Sequence, residues 1–206
     1  MIETNPNMER CDLHVVKEMV DKYGLQGDII EFGTFSCESA LYLASQFPDR
    51  TIYTIDHFEG LEASNQPLPT SSNWTEGQFA LGHPDYQAGH IPKTIDEAIQ
   101  KLSQRPNIQL IVKDVHKLEH PYQHGILQKI AFANVDVDIY EPTVSSLKFL
   151  AACDWKEIFI RFDDWHGGES EYDFHERLAF KEWIEEHGYE YEITHGGYIG
   201  GVFVKR

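Results

Sequence analysis

Along the chain, apolar positions switch repeatedly between helical spacing and short strand-like runs, the pattern of an α/β sheet wrapped by helices. Val15, Val16, Met19, Val20 and Tyr23 share one face of a helix predicted from about Asp12 to Tyr23, with Gly24 as its stop. Asp28 to Glu31 reads as a first strand running into Gly33. Ala40, Leu43, Ala44 and Phe47 then recur at helical spacing, with Ser36 available as an N-cap. A second strand, Thr51 to Ile55, ends at Asp56. Thr94 to Glu97 forms a capping box for a helix with Ile95, Ala98, Ile99 and Leu102 on its apolar face, and a strand from Ile108 to Val112 ends at Asp114. There follow a strand from Ile130 to Val135, a helix from about Val144 to Ala152, a strand from Glu157 to Phe162 and a helix from about Phe174 to His187, stopped by Gly188. Tyr189 to Ile193 and Ile199 to Val204, joined by a turn at His195 to Gly197, close the chain as a hairpin and bring the strands to seven.

One segment breaks the alternation. Phe58 to Pro92 is rich in Gly, Pro, Ser and aromatic residues, and so long a loop in a compact domain is usually functional. With 206 residues in total, the expectation is one domain with a helical amino-terminal segment (1–26) and a lid or acceptor-site insertion (57–93).

Charge narrows the partners. Seventeen basic against 34 acidic residues give a net charge of −17, which repels nucleic-acid backbones and anionic membranes. Cys11, Cys37 and Cys153 show no C-x-x-C spacing, so neither a disulfide framework nor a zinc site is expected, and a reducing cytoplasm fits. Met1 to Arg10 is polar, and no stretch approaches the ~20 apolar residues of a membrane span. Oligomeric state stays open, a homo-oligomer included.

Two constellations carry candidate chemistry. The first joins Glu31 and Gly33, after strand one, to Asp56, after strand two. A glycine lets the chain turn close to a ligand, and an acid ~20 residues later can meet ribose hydroxyls. Phe35 and Cys37 stand where a pyrophosphate loop needs glycines, which favours a nucleoside without phosphates over a dinucleotide. The plainer alternative is that Asp56 is a solvated turn residue.

The second comprises Asp136 and Asp138 at the end of strand four and Asp163 and Asp164 at the end of strand five. Residues two apart on a strand share a face, so both acids of the first pair can point the same way, and neighbouring parallel strand ends lie ~5 Å apart, so three or four carboxylates can converge. Carboxylates gathered this way need protons or a cation, and oxygen-only ligands suit Mg²⁺ or another hard divalent ion. An acidic chain also produces such pairs by composition, as caps of following helices. His57 and His166 each follow a strand-end acid and are candidate bases or ligands, although a surface place is ordinary for any of 11 histidines. Trp74, Phe79 and Tyr86 can stack on a ligand ring or pack the long segment onto the domain.

Residues Gly27 to Gly33, Asp56 to Leu61, Asp136 to Thr143 and Asp163 to Trp165 resemble the macrocin O-methyltransferase family, and the likeness extends from about Gly27 to Glu182. The resemblance implies a Rossmann-like class I methyltransferase fold with a seven-stranded, mostly parallel sheet. It implies S-adenosylmethionine as methyl donor and Mg²⁺ holding neighbouring hydroxyls of a small-molecule acceptor such as a sugar or vicinal diol. By that similarity Asp136, Asp163 and Asp164 become metal ligands and Asp138 the general base. Glu31 and Gly33 border the methionine part of the donor, Asp56 its ribose and Asp114 its adenine. Two residues depart from the family pattern: Cys37 stands where a second glycine is usual, and Arg161 where an aliphatic residue is usual. A metal-dependent hydrolase using the same aspartates and a non-catalytic adenosyl-binding protein are the rival readings.

Overall fold

A computed structural model describes residues 13–66, 74–165, 175–196 and 199–206. Seven strands form one sheet: β1 (Asp28–Phe32), β2 (Ile52–Asp56), β3 (Ile108–Val112), β4 (Ile130–Val135), β5 (Glu157–Phe162), β6 (Glu190–Gly196) and β7 (Gly200–Lys205). Their order is β3-β2-β1-β4-β5-β7-β6. β1 to β5 pair in parallel, and β7 runs antiparallel to both β5 and β6. The order reverses direction between β1 and β4, which opens a crevice at the carboxyl edge beside β1.

Side-chain alternation along the strands divides the core. Ile30, Phe32, Ile55, Ala133, Val135 and Ile160 pack on one face against helices α4 (Tyr140–Ala152) and α5 (His175–His187). Ile29, Ile52, Phe132 and Phe159 pack on the other, against α1 (Val16–Lys22) and α2 (Glu38–Gln46). Strands buried on both faces read as near-continuous apolar runs, which is why their boundaries were visible in the sequence.

Helix starts differ more from expectation. Helix α2 is entered through Cys37, not Ser36; Cys37 is buried in the left-handed region (φ 67°) and makes no side-chain cap. The backbone therefore keeps the shape for which glycine is usual, at a cost of about 1–2 kcal/mol for an L-residue, while the thiol packs beside Ala40, Phe58 and Ala98. Burial pushes that thiol up to about 12. Helix α4 begins four residues before the expected Val144, because Pro142 falls in its first turn, where its missing N–H costs nothing. In α3 (Ile95–Leu102) the Thr94 hydroxyl accepts from Glu97 N at 3.2 Å, and the Glu97 carboxylate reaches back to Lys93 N at 2.8 Å. Ala98 and Leu102 are buried, whereas Ile95 and Ile99 are 39% and 47% exposed, since α3 rests on the sheet margin by only part of its apolar face. No described helix is long and apolar enough to cross a membrane.

Candidate functional site

A cavity of about 250 Å³ opens at the carboxyl edge of the sheet, walled by the segments that follow β1, β2, β3 and β4. Of the expected site residues, Gly33, Asp56, Asp114, Asp136, Asp138 and Asp163 line it; Glu31 and Asp164 do not.

Gly33 (φ 87°) is where the chain leaving β1 crosses the chain leaving β4, and a Cβ there would collide with the Asp136 carbonyl. Only glycine permits that approach, which keeps the first turn open as cavity wall. Asp56 braces the same turn: one carboxylate oxygen accepts from Thr34 N at 2.7 Å and Phe35 N at 2.8 Å, and the other from Phe58 N at 2.6 Å. Of about four lone-pair sites on a carboxylate, these bonds leave room for one ligand hydroxyl, fewer than the two that a ribose offers. Asp114 caps the turn after β3, accepting from His116 N at 2.9 Å and pairing with Lys117 at 3.0 Å. Although burial acts to raise its pKa, those two partners hold it below the usual aspartate value.

The long segment after β2 forms the outer wall through Gly60, Leu61, Glu62 and Phe79. It is tied down where Ser64 Oγ and Asn65 N donate to Glu141 at 2.9 and 2.7 Å, and where Glu62 meets His116 Nε2 at 2.7 Å. Phe79 stacks on Tyr86 with ring centres 5.2 Å apart, and Phe35 meets both edge-on. Trp74 packs edge-on against His175. His57 lines the cavity, with Nδ1 accepting from Glu59 N at 2.8 Å. His166 lies outside the described residues.

Beneath the cavity runs a buried polar row. Thr54, Glu31, Asn134 and Arg161 are register partners on β2, β1, β4 and β5. Thr54 Oγ1 donates to Glu31 at 2.6 Å, Asn134 Nδ2 donates to Glu31 at 3.1 Å, and Arg161 Nη1 donates to Asn134 Oδ1 at 2.7 Å. Thr34 extends the row at one end through Thr54, and Asp163 at the other through Arg161 Nη2. Burial lifts the Glu31 carboxyl above its ordinary value, against the pull of these donors. Glu31 thus lies in the polar row beneath the cavity and does not line it.

The acidic cluster also departs from expectation. β4 ends at Val135, so Asp136 and Asp138 belong to the following turn, where Asp138 adopts φ 62° and strand alternation no longer applies. Asp163 is held by Arg161, whereas Asp164 is buried, hydrogen-bonded by its side chain to Asp138 and by its N–H to Glu176 at 2.8 Å. Desolvation, then the charge of Asp163, drives the Asp136 carboxyl well above the ordinary range; for Asp138 the causes are desolvation, then Asp164. Among the described residues, no three His, Cys, Asp or Glu side chains are placed to hold a metal ion.

Three participants escaped the sequence reading. Glu176 is fully buried beside Asp164 but sits on a helix whose apolar spacing looks ordinary. His116, which joins Glu62 to Ser145 at the cavity wall, follows no motif. Asn134 was detectable as one polar residue inside an apolar strand.

No family model and no curated protein matches the sequence. Solved structures do match. The calicheamicin methyltransferase CalS11 superposes with a TM-score of 0.69 at 19% identity, covering 98% of this chain and 80% of that one. The O-methyltransferase NovP gives 0.65 at 16% identity, covering 95% and 79%. A putative caffeoyl-CoA O-methyltransferase from Staphylococcus aureus gives 0.59 at 13% identity, covering 95% and 83%. At these identities the likeness establishes architecture: the fold is the Rossmann-like fold of class I methyltransferases.

Proposed function

We propose that the protein is an S-adenosylmethionine-dependent O-methyltransferase acting on a hydroxyl of a small molecule. The supporting observation is the cavity itself. Its first turn is kept open by Gly33, an acid at the end of β2 retains one acceptor site, and carboxylates line the side where a second substrate would enter. The donor fits this cradle and, when bound, supplies a methyl group on a positively charged sulfonium. Gly33 borders its methionine part, Asp56 accepts from a ribose hydroxyl, and Asp114 faces the adenine side. CalS11 is described as a TDP-rhamnose 3'-O-methyltransferase, which supports a sugar hydroxyl as the acceptor class.

A hydroxyl is a poor nucleophile while it keeps its proton. Asp138 lines the cavity and takes that proton as the oxygen–carbon bond forms and the carbon–sulfur bond breaks. Desolvation, then the neighbouring Asp164, raises its affinity for a proton above that of an exposed carboxylate. The walls formed by Leu61 and Phe79 exclude water, and holding oxygen, carbon and sulfur in line supplies further acceleration. The residues expected as a magnesium set, Asp136, Asp163 and Asp164, do not fit that ion here: Asp163 is engaged by a guanidinium, and Asp164 lies away from the cavity lining.

The test is thermal unfolding with S-adenosylhomocysteine, the product of the donor. At ~100 times its dissociation constant a ligand adds about 2.7 kcal/mol of stability. The reading expects a clear upward shift in wild type and a reduced one in Asp56→Ala; no shift in wild type would overturn it and favour the hydrolase.

A further inference from the structure

We infer that Arg161 is the built-in counter-charge of the acidic cavity floor, standing in the position of a divalent cation, so that the site works without bound metal. This rests on the transferase reading, since it concerns how the acceptor side of that site is held.

Arg161 is 1% exposed yet contributes to the cavity lining, and it lies on the same sheet face as Glu31, Thr54 and Asn134. An arginine placed there must satisfy its donors inside the protein. Nη1 donates to Asn134 Oδ1 at 2.7 Å and Nη2 to Asp163. Asn134 is in turn anchored on the Glu31 carboxyl, which fixes the amide orientation and with it the guanidinium plane. A guanidinium never loses its proton under physiological conditions, so this charge is permanent.

The consequence falls on Asp163. A carboxylate gripped by an arginine offers little to a second cation, and a divalent ion beside Asp136 and Asp163 would be repelled by the guanidinium. The arrangement gives fixed positive charge beside Asp163, one of the carboxylates that the family resemblance would assign to an ion. It acts on the reaction through the carboxylates, which makes Arg161 a positioning residue.

Metal binding itself provides the test, read without any acceptor. Chelator-stripped protein is titrated with Mn²⁺ in the presence of S-adenosylhomocysteine, and free Mn²⁺ is followed by electron paramagnetic resonance. Wild type is expected to show no Mn²⁺ binding that Asp163→Asn weakens. Arg161→Met is expected to gain an Asp163-dependent site, binding Mn²⁺ roughly tenfold or more tightly than wild type, and Arg161→Met with Asp163→Asn to lose it again. A wild-type Mn²⁺ site weakened roughly tenfold by Asp163→Asn, or a folded Arg161→Met that gains no site, overturns the inference. If Arg161→Met does not fold, the wild-type and Asp163→Asn comparison decides alone. Failure of S-adenosylhomocysteine to bind any of these proteins would instead count against the transferase reading.

Discussion

Glu31 and Arg161 lie on strands that never pair with each other, yet both are bonded to the same Asn134 side chain, the carboxylate at 3.1 Å and the guanidinium at 2.7 Å. The amide is a spacer between opposite buried charges: its N–H faces the anion and its oxygen the cation. Each charge is desolvated by burial. The row also ties four parallel strands together at one level, just under the cavity.

Replacing Asn134 with Leu keeps the branched outline of the side chain and removes both bonds. We expect a loss of about 1.5–3 kcal/mol for each charged partner left short of a hydrogen bond. Chemical denaturation of purified Asn134→Leu measures this; a cost below that of an ordinary surface substitution would show that the row is not holding the strands.

Gly33→Ala should be more damaging than its size suggests. The added methyl would meet the Asp136 carbonyl in a left-handed backbone, at a combined cost of about 3 kcal/mol. Because the relief must come from moving the β1 or β4 turn, S-adenosylhomocysteine affinity should fall with stability. Calorimetric titration of the folded fraction checks this.

The outer wall hangs on Glu141, the acceptor for Ser64 and Asn65. Glu141→Ala should leave the fold intact and release that wall. Dissociation of S-adenosylhomocysteine in stopped flow should become roughly tenfold faster, the kinetic equivalent of ~1.4 kcal/mol. An unchanged rate would mean that the segment does not gate the cavity.

Stability should peak in mild acid. Glu31 and Glu176 are both raised, first by burial, above their ordinary value of 4.5. Their contribution to stability is therefore complete below 4.5 and is lost as pH rises through the folded values. Asp114 and Glu141 are lowered, so their contribution is present above the ordinary values and lost as pH falls through the folded ones. The thermal midpoint should thus be higher at about pH 5 than at about pH 8, and Glu31→Gln should flatten that slope. A midpoint that climbs steadily from about pH 5 to 8 would contradict the assignment.

What the sequence determined by itself was the succession of elements and the carboxyl edge at which chemistry gathers. Mostly apolar runs mark β3, β4 and β5 to the residue: β4 and β5 are buried almost throughout, whereas β3 is an edge strand that leaves Gln109 and Val112 exposed. Asp56, Asp136, Asp138 and Asp163 line one cavity because parallel strands deliver their carboxyl ends to the same side. Tertiary structure alone decided what each acid does there. Glu31 and Asp163 are adjacent neither in sequence nor across any strand pair. Only the register of β1, β4 and β5 sets Asn134 and Arg161 between them, placing Glu31 beneath the cavity and Asp163 in an ion pair. Residue spacing encodes which edge a side chain reaches; the partner it meets depends on neighbouring strands, whose alignment a local pattern does not carry.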